Sequence, residues 1–285
     1  MSSTVVLVHG AWGGGWSWER VVPLLEERGV ASVVVELPSA DGDPADPPGL
    51  ADDVAAVTRA LDETPGASVL CGHSYGGVVV TVAAAGRADV SHLVYLCAFM
   101  PDVGESLLTL TGGPAPWIRR LDDGRTLPDR ERLAASGYQD CDDATRDSAI
   151  ARLRPHVTAP FGEPVAVAAW RELPSTYVVC TEDRSIPVEL QRERFVPRAG
   201  QAIELASSHW PFFSQPERVA GILAALAESY DFMQHNPIFA THEVADYLHL
   251  STTIVPALLA AGVTQGQVDE MLVENPKRFF GPRAA

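Results

Sequence analysis

The chain has 285 residues, a net charge of −16 and a composition that is 46% hydrophobic and 20% charged. This length and apolar content fit one large domain, or one domain with an appendage, and exclude general disorder. The acidic balance argues against nucleic acid and anionic membranes as partners. The N-terminal segment has no secretory signal pattern and no stretch reaches the ~18 apolar residues of a membrane span, so we predict a cytoplasmic protein without membrane contact.

Short apolar runs alternate with helix-length periodic segments along the first 230 residues. The runs are rich in β-branched residues and almost entirely apolar, as is typical of parallel strands covered on both faces. We therefore predict an α/β fold with a mainly parallel six-stranded sheet flanked by helices. The predicted strands are Thr4–Val8, Ser32–Glu36, Ser68–Cys71, His92–Cys97, Thr176–Cys180 and Gln201–Leu205. The predicted helices are Ser17–Arg28, Leu50–Glu63, Gly76–Gly86, Val188–Phe195 and Pro216–Tyr230.

Two regions break this alternation. Residues of about 101–165 form a long insertion between two predicted strands, and we expect it to be a helical cap over the site. Residues 231–285 follow the last predicted helix, and their apolar periodicity predicts two or three short amphipathic helices. We therefore predict a domain over residues 1–230 that contains the cap, followed by a helical C-terminal extension over residues 231–285.

The strongest motif is the sequence Gly72-His73-Ser74-Tyr75-Gly76, between a predicted strand and a predicted helix. A serine on such a sharp turn presents its hydroxyl above the sheet, and the flanking glycines let the backbone pass closely. The G-x-S-x-G pattern by itself often arises by chance, but its position between strand and helix favours a catalytic role. We predict Ser74 as a nucleophile.

The acid and the base that activate such a serine follow it in the order Asp or Glu, then His. Asp183 and His209 each come directly after a predicted strand, where parallel sheets form their active sites. We predict that His209 takes the proton of Ser74 and that Asp183 orients His209. Glu182 and Asp102 are alternative acids, whereas the other histidines fit this order less well.

The segment His9–Trp12 lies directly after the first predicted strand. Acyl transfer develops negative charge on the carbonyl oxygen, which preorganised N–H donors must meet. We predict the backbone amides of Ala11 and Tyr75 as this oxyanion hole. Among the aromatic residues, we predict that Trp12 and Trp210 touch the substrate and that most others pack in the core or cap.

No metal site or cofactor is predicted. The four cysteines match no zinc spacing and no disulfide framework. His242 and Glu243 begin a zincin-like pattern, but Asp246 stands where the second histidine would be, and Pro237 interrupts any continuous helix.

Several motifs together resemble one known family, the α/β-hydrolases. They are similar to the plant methylesterase and hydroxynitrile lyase branch of that family and its bacterial esterase relatives. The resemblance covers residues of about 4–230 and implies the α/β-hydrolase fold, with a six-stranded sheet, a small cap with helices and frequent dimers. The motifs that carry it are HGAWGGGWSW (9–18), GHSYGG (72–77), AFMPD (98–102), TEDRSIP (181–187) and SHWPFFSQPERV (208–219).

Two positions separate the esterases from the lyases of this branch. The resemblance implies that the lyases have a threonine at the position of Gly10. It also implies that they place a lysine close to the catalytic histidine. Here Gly10 leaves the oxyanion hole open, and Trp210 follows His209 without a nearby lysine. We predict a serine carboxylesterase that hydrolyses small to medium apolar esters through an acyl-enzyme. A hydroxynitrile lyase-type C–C lyase and a hydrolase-like ligand receptor are the alternatives.

The extension resembles a different family. GVTQGQVDEMLV (262–273) and ENPKRFF (274–280) are similar to the carboxyl-terminal end of phosphotriesterase-like amidohydrolases. The metal ligands and the barrel of that family are missing from the chain, so no metallohydrolase activity is implied. We predict that the extension is a packing element or the contact of a homodimer.

Overall fold

The computed structural model describes residues 3–235, and their centre is a parallel six-stranded sheet. The eight strands are β1 (Thr4–Val8), β2 (Ser32–Val35), β3 (Ser68–His73), β4 (Val90–Leu96), β5 (Ile118–Arg120), β6 (Thr126–Pro128), β7 (Ser175–Cys180) and β8 (Gln201–Leu205). The large sheet has the order β2-β1-β3-β4-β7-β8, and every neighbouring pair is parallel. The predicted mainly parallel, six-stranded sheet is confirmed.

The burial of the strands explains why they read as apolar runs. Strands β1, β3, β4 and β7 are buried along their whole length, because both of their faces are covered. The edge strands β2 and β8 keep partly exposed positions. The register pairs Val8 with Gly72 and Cys180 with Leu205, so the loops that follow these strands leave the same edge of the sheet.

Ten α-helical segments are present among residues 3–235. Two predicted helices are interrupted: Ser17–Arg28 divides into a 3₁₀ turn and a helix, and Val188–Phe195 ends in a π-helical turn. Pro23 lacks an amide hydrogen and is tolerated only in a first turn, which explains the later start of the first helix. The segments are α1 (Val21–Glu27), α2 (Leu50–Asp62), α3 (Gly76–Ala83), α4 (Leu107–Thr111), α5 (Arg130–Ser136), α6 (Asp143–Ala151), α7 (Ala159–Gly162), α8 (Val188–Leu190), α9 (Pro211–Ser214) and α10 (Pro216–His235).

The long insertion contains α4 to α7 and the antiparallel hairpin of β5 and β6. Aspartates begin two of these helices: Asp129 accepts a hydrogen bond from the Arg132 amide at 3.1 Å, and Asp142 accepts one from the Thr145 amide at 2.8 Å. The hairpin was not among the predicted elements, because strands of three residues that include two arginines give no apolar run.

Only the first residues of the predicted extension 231–285 fall within the described part, where they continue α10 to His235. The helices predicted beyond that point, the His242–Glu243 pattern and a homodimer contact lie outside the described residues and stay predictions. Within residues 3–235, no helix combines the length and the apolarity needed to cross a membrane.

Candidate active site

Ser74 lies on the sharp turn between β3 and α3. Its φ of +51° is in the left-handed region, which a side chain other than glycine rarely adopts. The glycines on both sides are required by space, because a Cβ on Gly72 would lie 2.6 Å from the Gly76 carbonyl oxygen, and one on Gly76 would lie 2.7 Å from the His9 carbonyl oxygen. The strained turn therefore holds the serine above the sheet edge, as the motif predicts.

The structure brings Ser74, His209 and Asp183 together in one hydrogen-bonded chain. His209 Nε2 lies 3.0 Å from Ser74 Oγ, and His209 Nδ1 lies 2.7 Å from Asp183 Oδ2. Asp183 follows β7 and His209 follows β8, so the parallel register of these strands places both at the edge that carries Ser74. All three residues are buried, with Ser74 at 9% exposure.

Three donors besides His209 hold the Asp183 carboxylate. Its Oδ1 accepts the amides of Ser185 and Ile186 at 2.7 and 2.9 Å, and its Oδ2 accepts Gln191 Nε2 at 3.0 Å as well as His209. These contacts fix the direction in which Oδ2 faces His209 Nδ1, and so orient the ring with Nε2 towards Ser74.

Gln191 was missed in the sequence. It is fully buried, donates to Asp183 and to the Ile186 carbonyl oxygen at 2.9 Å, and accepts the Cys180 amide at 3.2 Å. It opens the π-helical turn Gln191–Phe195, a type of turn that is frequent at functional sites. The available signal was the spacing of Gln191 and Phe195, which puts a polar residue on the buried face of a predicted helix.

The two alternative acids lie elsewhere. Asp102 forms a bidentate ion pair with Arg171, with distances of 2.9 and 2.6 Å, and this guanidinium lowers the pKa of the Asp102 carboxyl. Glu182 is exposed, next to Asp183 in the chain. Neither has a hydrogen bond to His209 in the part of the chain that the structure describes, so the geometry favours Asp183.

Ala11 and Tyr75, whose amides are the predicted oxyanion hole, both line the cavity above Ser74. Among residues 3–235, neither amide is engaged in a loop or cap hydrogen bond to another backbone group. Trp12, next to Ala11, has a φ of +60°. Its carbonyl oxygen accepts the Arg154 amide at 2.9 Å, and its Nε1 donates to Thr126 Oγ1 at 3.2 Å. Cap residues thus hold the strained turn that carries one of the two amides.

A cavity of about 350 Å³ opens onto Ser74 and His209 between the sheet edge and the cap. Both tryptophans predicted to touch substrate, Trp12 and Trp210, line it. Most of the remaining lining side chains are apolar and come from the cap. The lining includes Phe99, Leu107, Leu108, Trp117, Ile118, Leu133, Phe161 and Ile186, together with Arg120, Thr126 and Ser185.

The sequence and the fold can be compared with those of known proteins. A family model described as "Alpha/beta hydrolase family" matches residues 5–222. The chain belongs to the alpha/beta hydrolase family. The predicted fold and the predicted class of enzyme are thereby confirmed at the level of this family. A second model, "Phosphotriesterase family", matches residues 220–280, in agreement with the resemblance of the extension.

Relatives within the alpha/beta hydrolase family include several esterases. A pyrethroid hydrolase of Sphingobium wenxiniae is 29% identical over 79% of this chain and 88% of its own length. Methylesterase 1 and an alpha-hydroxynitrile lyase, both of Arabidopsis thaliana, are each 26% identical over 79% of the chain, and 96% and 97% of their own lengths are covered. The crystal structure of a pyrethroid hydrolase from Sphingobium faniae superposes with a TM-score of 0.70 at 27% identity, over 80% of this chain and 98% of the compared chain. The predicted branch is confirmed.

One group of potential metal ligands lies within this alpha/beta hydrolase site. Suitable atoms of His73, Cys97 and His209 are within 4.8 Å of one another, and all three residues are buried. Both ring nitrogens of His209 already contact Ser74 and Asp183. Burial raises the pKa of the Cys97 thiol well above its usual range, which disfavours the thiolate that a metal would require. The donor set therefore fits the serine chemistry better than a metal.

Proposed function

We propose that this chain is a serine carboxylesterase that hydrolyses small to medium apolar carboxylic esters. The observation that carries the proposal is the hydrogen-bonded chain from Ser74 Oγ through His209 to Asp183, which lies beside an apolar cavity. The esterases among the relatives support the same class of reaction.

The proposed reaction has two halves. His209 Nε2 takes the proton of Ser74 Oγ while the oxygen attacks the ester carbonyl, and the amides of Ala11 and Tyr75 donate to the resulting oxyanion. His209 then returns the proton to the departing alcohol, which leaves an acyl group on Ser74. Water enters, gives its proton to His209 and attacks the acyl carbonyl, and collapse of this second oxyanion releases the acid and restores Ser74.

The cavity supports apolar substrates of limited size. Its volume of about 350 Å³ is near the lower end of the ~300–1,000 Å³ range of ligand pockets. Trp12 and Trp210 form part of its apolar wall beside the predicted nucleophile. We propose that these two rings contact the acyl or the alcohol group, which gains free energy by leaving water.

The surroundings of Gly10 disfavour the lyase alternative. A Cβ at this position would lie 2.8 Å from Ser74 Cβ and 2.8 Å from His73 Nδ1. A threonine, which the lyases of this branch carry here, therefore requires the turn or the His73 ring to move. Trp210 occupies the position after His209, and this buried ring offers no cation for a departing cyanide. Release of cyanide from mandelonitrile would contradict the proposal.

The decisive assay is hydrolysis of a p-nitrophenyl ester series from acetate to dodecanoate, with Ser74→Ala as the control. We expect an optimum at short to medium acyl chains and a loss of turnover by about 10³-fold or more in Ser74→Ala, since the variant lacks the hydroxyl proposed to form the acyl-enzyme. The thermal unfolding midpoint of the variant should stay close to that of the parent. Activity that survives Ser74→Ala would contradict the assignment of Ser74.

We also propose that residues 1–230 form the hydrolase unit and residues 231–285 an extension that contributes no catalytic group. The extents of the two matching family models, residues 5–222 and 220–280, support a boundary in this region. A chain ending at residue 235 is expected to keep the same chain-length optimum in the ester series. A shifted optimum or a lost activity in a folded truncated chain would contradict this division.

A further inference from the structure

A buried polar network surrounds the hydroxyl of Tyr75, the residue that follows Ser74 in the chain. Tyr75 Oη donates to Asp53 Oδ2 at 2.6 Å, and Asp53 Oδ2 also accepts Ser39 Oγ at 2.5 Å. Ser39 Oγ in turn lies 3.1 Å from His156 Nε2. Asp53, Ser39, His156 and Tyr75 are all fully buried. The network joins α2, the loop after β2, the cap and the turn that carries the nucleophile.

We propose that Asp53, Ser39 and His156 are positioning residues that hold Tyr75, and thereby its backbone amide, in the geometry needed to bind the oxyanion. This inference rests on the proposed function, because it assigns a role within the same reaction. Tyr75 is the only residue of the network that borders Ser74 in the chain.

His156 extends the network to the cap. Its Nδ1 faces the Val157 carbonyl oxygen at 2.8 Å, so Nδ1 carries a proton. Burial lowers the pKa of His156 to about 3, so the ring is neutral and its Nε2 presents a lone pair to Ser39 Oγ, 3.1 Å away. The Ser39 hydroxyl donates to Asp53 Oδ2 at 2.5 Å, the shorter of its two polar contacts. Burial raises the pKa of the Asp53 carboxyl, against the opposing effect of the hydrogen bonds from Ser39 and Tyr75.

Asp53 is the acceptor at the centre of this network. Its Oδ2 accepts the hydroxyls of Ser39 and Tyr75, and its Oδ1 accepts the Ser39 amide at 2.9 Å. A buried network of this kind restricts the motion of its members, and removing one partner leaves another buried polar group unpaired.

Aromatic packing holds the Tyr75 ring from the cap side. The ring makes edge-to-face contacts with His156 and Phe161, with centroids 5.4 and 5.2 Å away, and His156 stacks on Phe161 at 4.8 Å. Within residues 3–235, the Tyr75 hydroxyl makes one hydrogen bond, to Asp53, while the ring packs on the aromatic rings of His156 and Phe161. Because α3 begins at Gly76, a tilt of the ring is transmitted to the amide that precedes the helix.

Tyr75→Phe tests the inference with the smallest change, since it removes Oη and keeps the ring and the amide. We expect kcat to fall about 10-fold, less than the 10²–10³-fold loss of a whole oxyanion-hole donor, with KM within about twofold of the parent. The affinity for a trifluoromethyl ketone should fall by the same factor as kcat, because Ser74 adds to its carbonyl and the hemiketal oxyanion then occupies the oxyanion hole. A purely structural role would lower the unfolding midpoint without this matched change.

Variants of Asp53 separate the network from general packing. Asp53→Ala should resemble Tyr75→Phe, and the double variant should lose little more than either single one, because both break the same bond. Asp53→Asn keeps the size of the side chain and the acceptor for the Ser39 amide but places an N–H donor opposite Tyr75 Oη, so it should lose about as much activity as Tyr75→Phe. If Asp53→Ala does not fold, Tyr75→Phe and Asp53→Asn decide the test alone.

Tyr95→Phe is the matched control, because Tyr95 is equally buried and its Oη bonds only Thr81 Oγ1, at 2.8 Å, away from the cavity. It should leave kcat and the ketone affinity unchanged. The inference is overturned if Tyr75→Phe keeps both kcat and ketone affinity within twofold of the parent. In that case, loss of activity in Ser74→Ala would still support the proposed esterase. Activity retained by Ser74→Ala would instead remove the proposed function on which the inference rests.

Discussion

The sheet edge and the cap contribute to the site in different ways. Ser74, Asp183 and His209 each follow a parallel strand, and the register of β3, β7 and β8 places their loops at one edge. The cap instead supplies cavity walls such as Trp117 and Phe161, whose positions depend on how side chains pack. The positions of Ser74, Asp183 and His209 therefore follow from the topology of the sheet, whereas the shape of the cavity follows from side-chain packing in the cap.

The largest effect should come from the sheet edge. Asp183→Asn keeps the shape of the side chain but favours the wrong tautomer of His209, and we expect kcat to fall about 10³- to 10⁴-fold. Asp102→Asn is the control, since Asp102 is the alternative acid and is paired with Arg171. It should stay within twofold of the parent in p-nitrophenyl butanoate hydrolysis. A large loss in Asp102→Asn with an active Asp183→Asn would reverse the assignment of the acid.

Buried histidines in the sheet and in the cap should make the stability of the protein depend on pH. Burial lowers the pKa of His92 in β4 to about 4, below the 6.5 of an exposed histidine. Between these values the unfolded chain binds a proton and the native chain does not, so stability is complete above pH 6.5 and is lost as the pH falls towards 4. The expected contribution of His92 is on the order of 2 kcal/mol between pH 7 and pH 4.5.

Urea unfolding of His92→Gln at these two pH values measures this contribution. The variant should lose less stability on acidification than the parent, while its esterase activity at pH 7 stays the same, because His92 bonds Thr176 within the sheet at 2.7 Å. His156→Gln, the counterpart in the cap, should reduce the acid sensitivity and also lower kcat through Tyr75. Equal acid sensitivity in all three proteins would contradict the neutral state of these histidines.

A smaller effect on kcat is expected at Gln191, which donates a hydrogen bond to Asp183 and belongs to no recognised motif. Gln191→Leu removes a donor to Asp183 and strands the Cys180 amide, so we expect an about 10-fold lower kcat and a loss of about 1–3 kcal/mol in the free energy of unfolding. Gln139→Leu is the matched control, since partly exposed Gln139 bonds only the neighbouring Glu182 carbonyl oxygen. Identical kinetics in both variants would show that Gln191 has no part in holding Asp183.

The sequence made the sheet edge predictable for physical reasons. Strand runs covered on both faces are continuous apolar segments, and the chemistry of Ser74 needs glycines that leave a visible motif. The order of acid and base then favoured Asp183 and His209 and left Glu182 and Asp102 as alternative acids. Ser74, Asp183 and His209 could therefore be named as candidates before any distance was known.

The remaining features depend on three-dimensional packing that no short pattern encodes. Asp53 and His156 are 103 positions apart in the chain, yet Ser39 bridges them at 2.5 and 3.1 Å. In the sequence, Asp53 reads as a helix-surface residue next to Asp52, and His156 as one polar residue of a loop-rich insertion. The β5–β6 hairpin was not predicted for a related reason, since three-residue strands give no periodic signal.

The smallest expected effect tests the cap side directly. Trp117 lines the cavity and contacts Trp12 with ring centroids 5.7 Å apart, so Trp117→Ala lengthens the space available to an acyl chain. We expect the ratio of kcat/KM for octanoate over butanoate esters to rise about 10-fold, which corresponds to two further buried methylenes at about 0.8 kcal/mol each. Trp170→Ala is the control, because Trp170 is partly buried outside the cavity lining and bonds the Pro101 carbonyl oxygen. If both variants keep the parent's ratio, the cap wall at Trp117 does not set the chain length, and selectivity must come from the sheet edge.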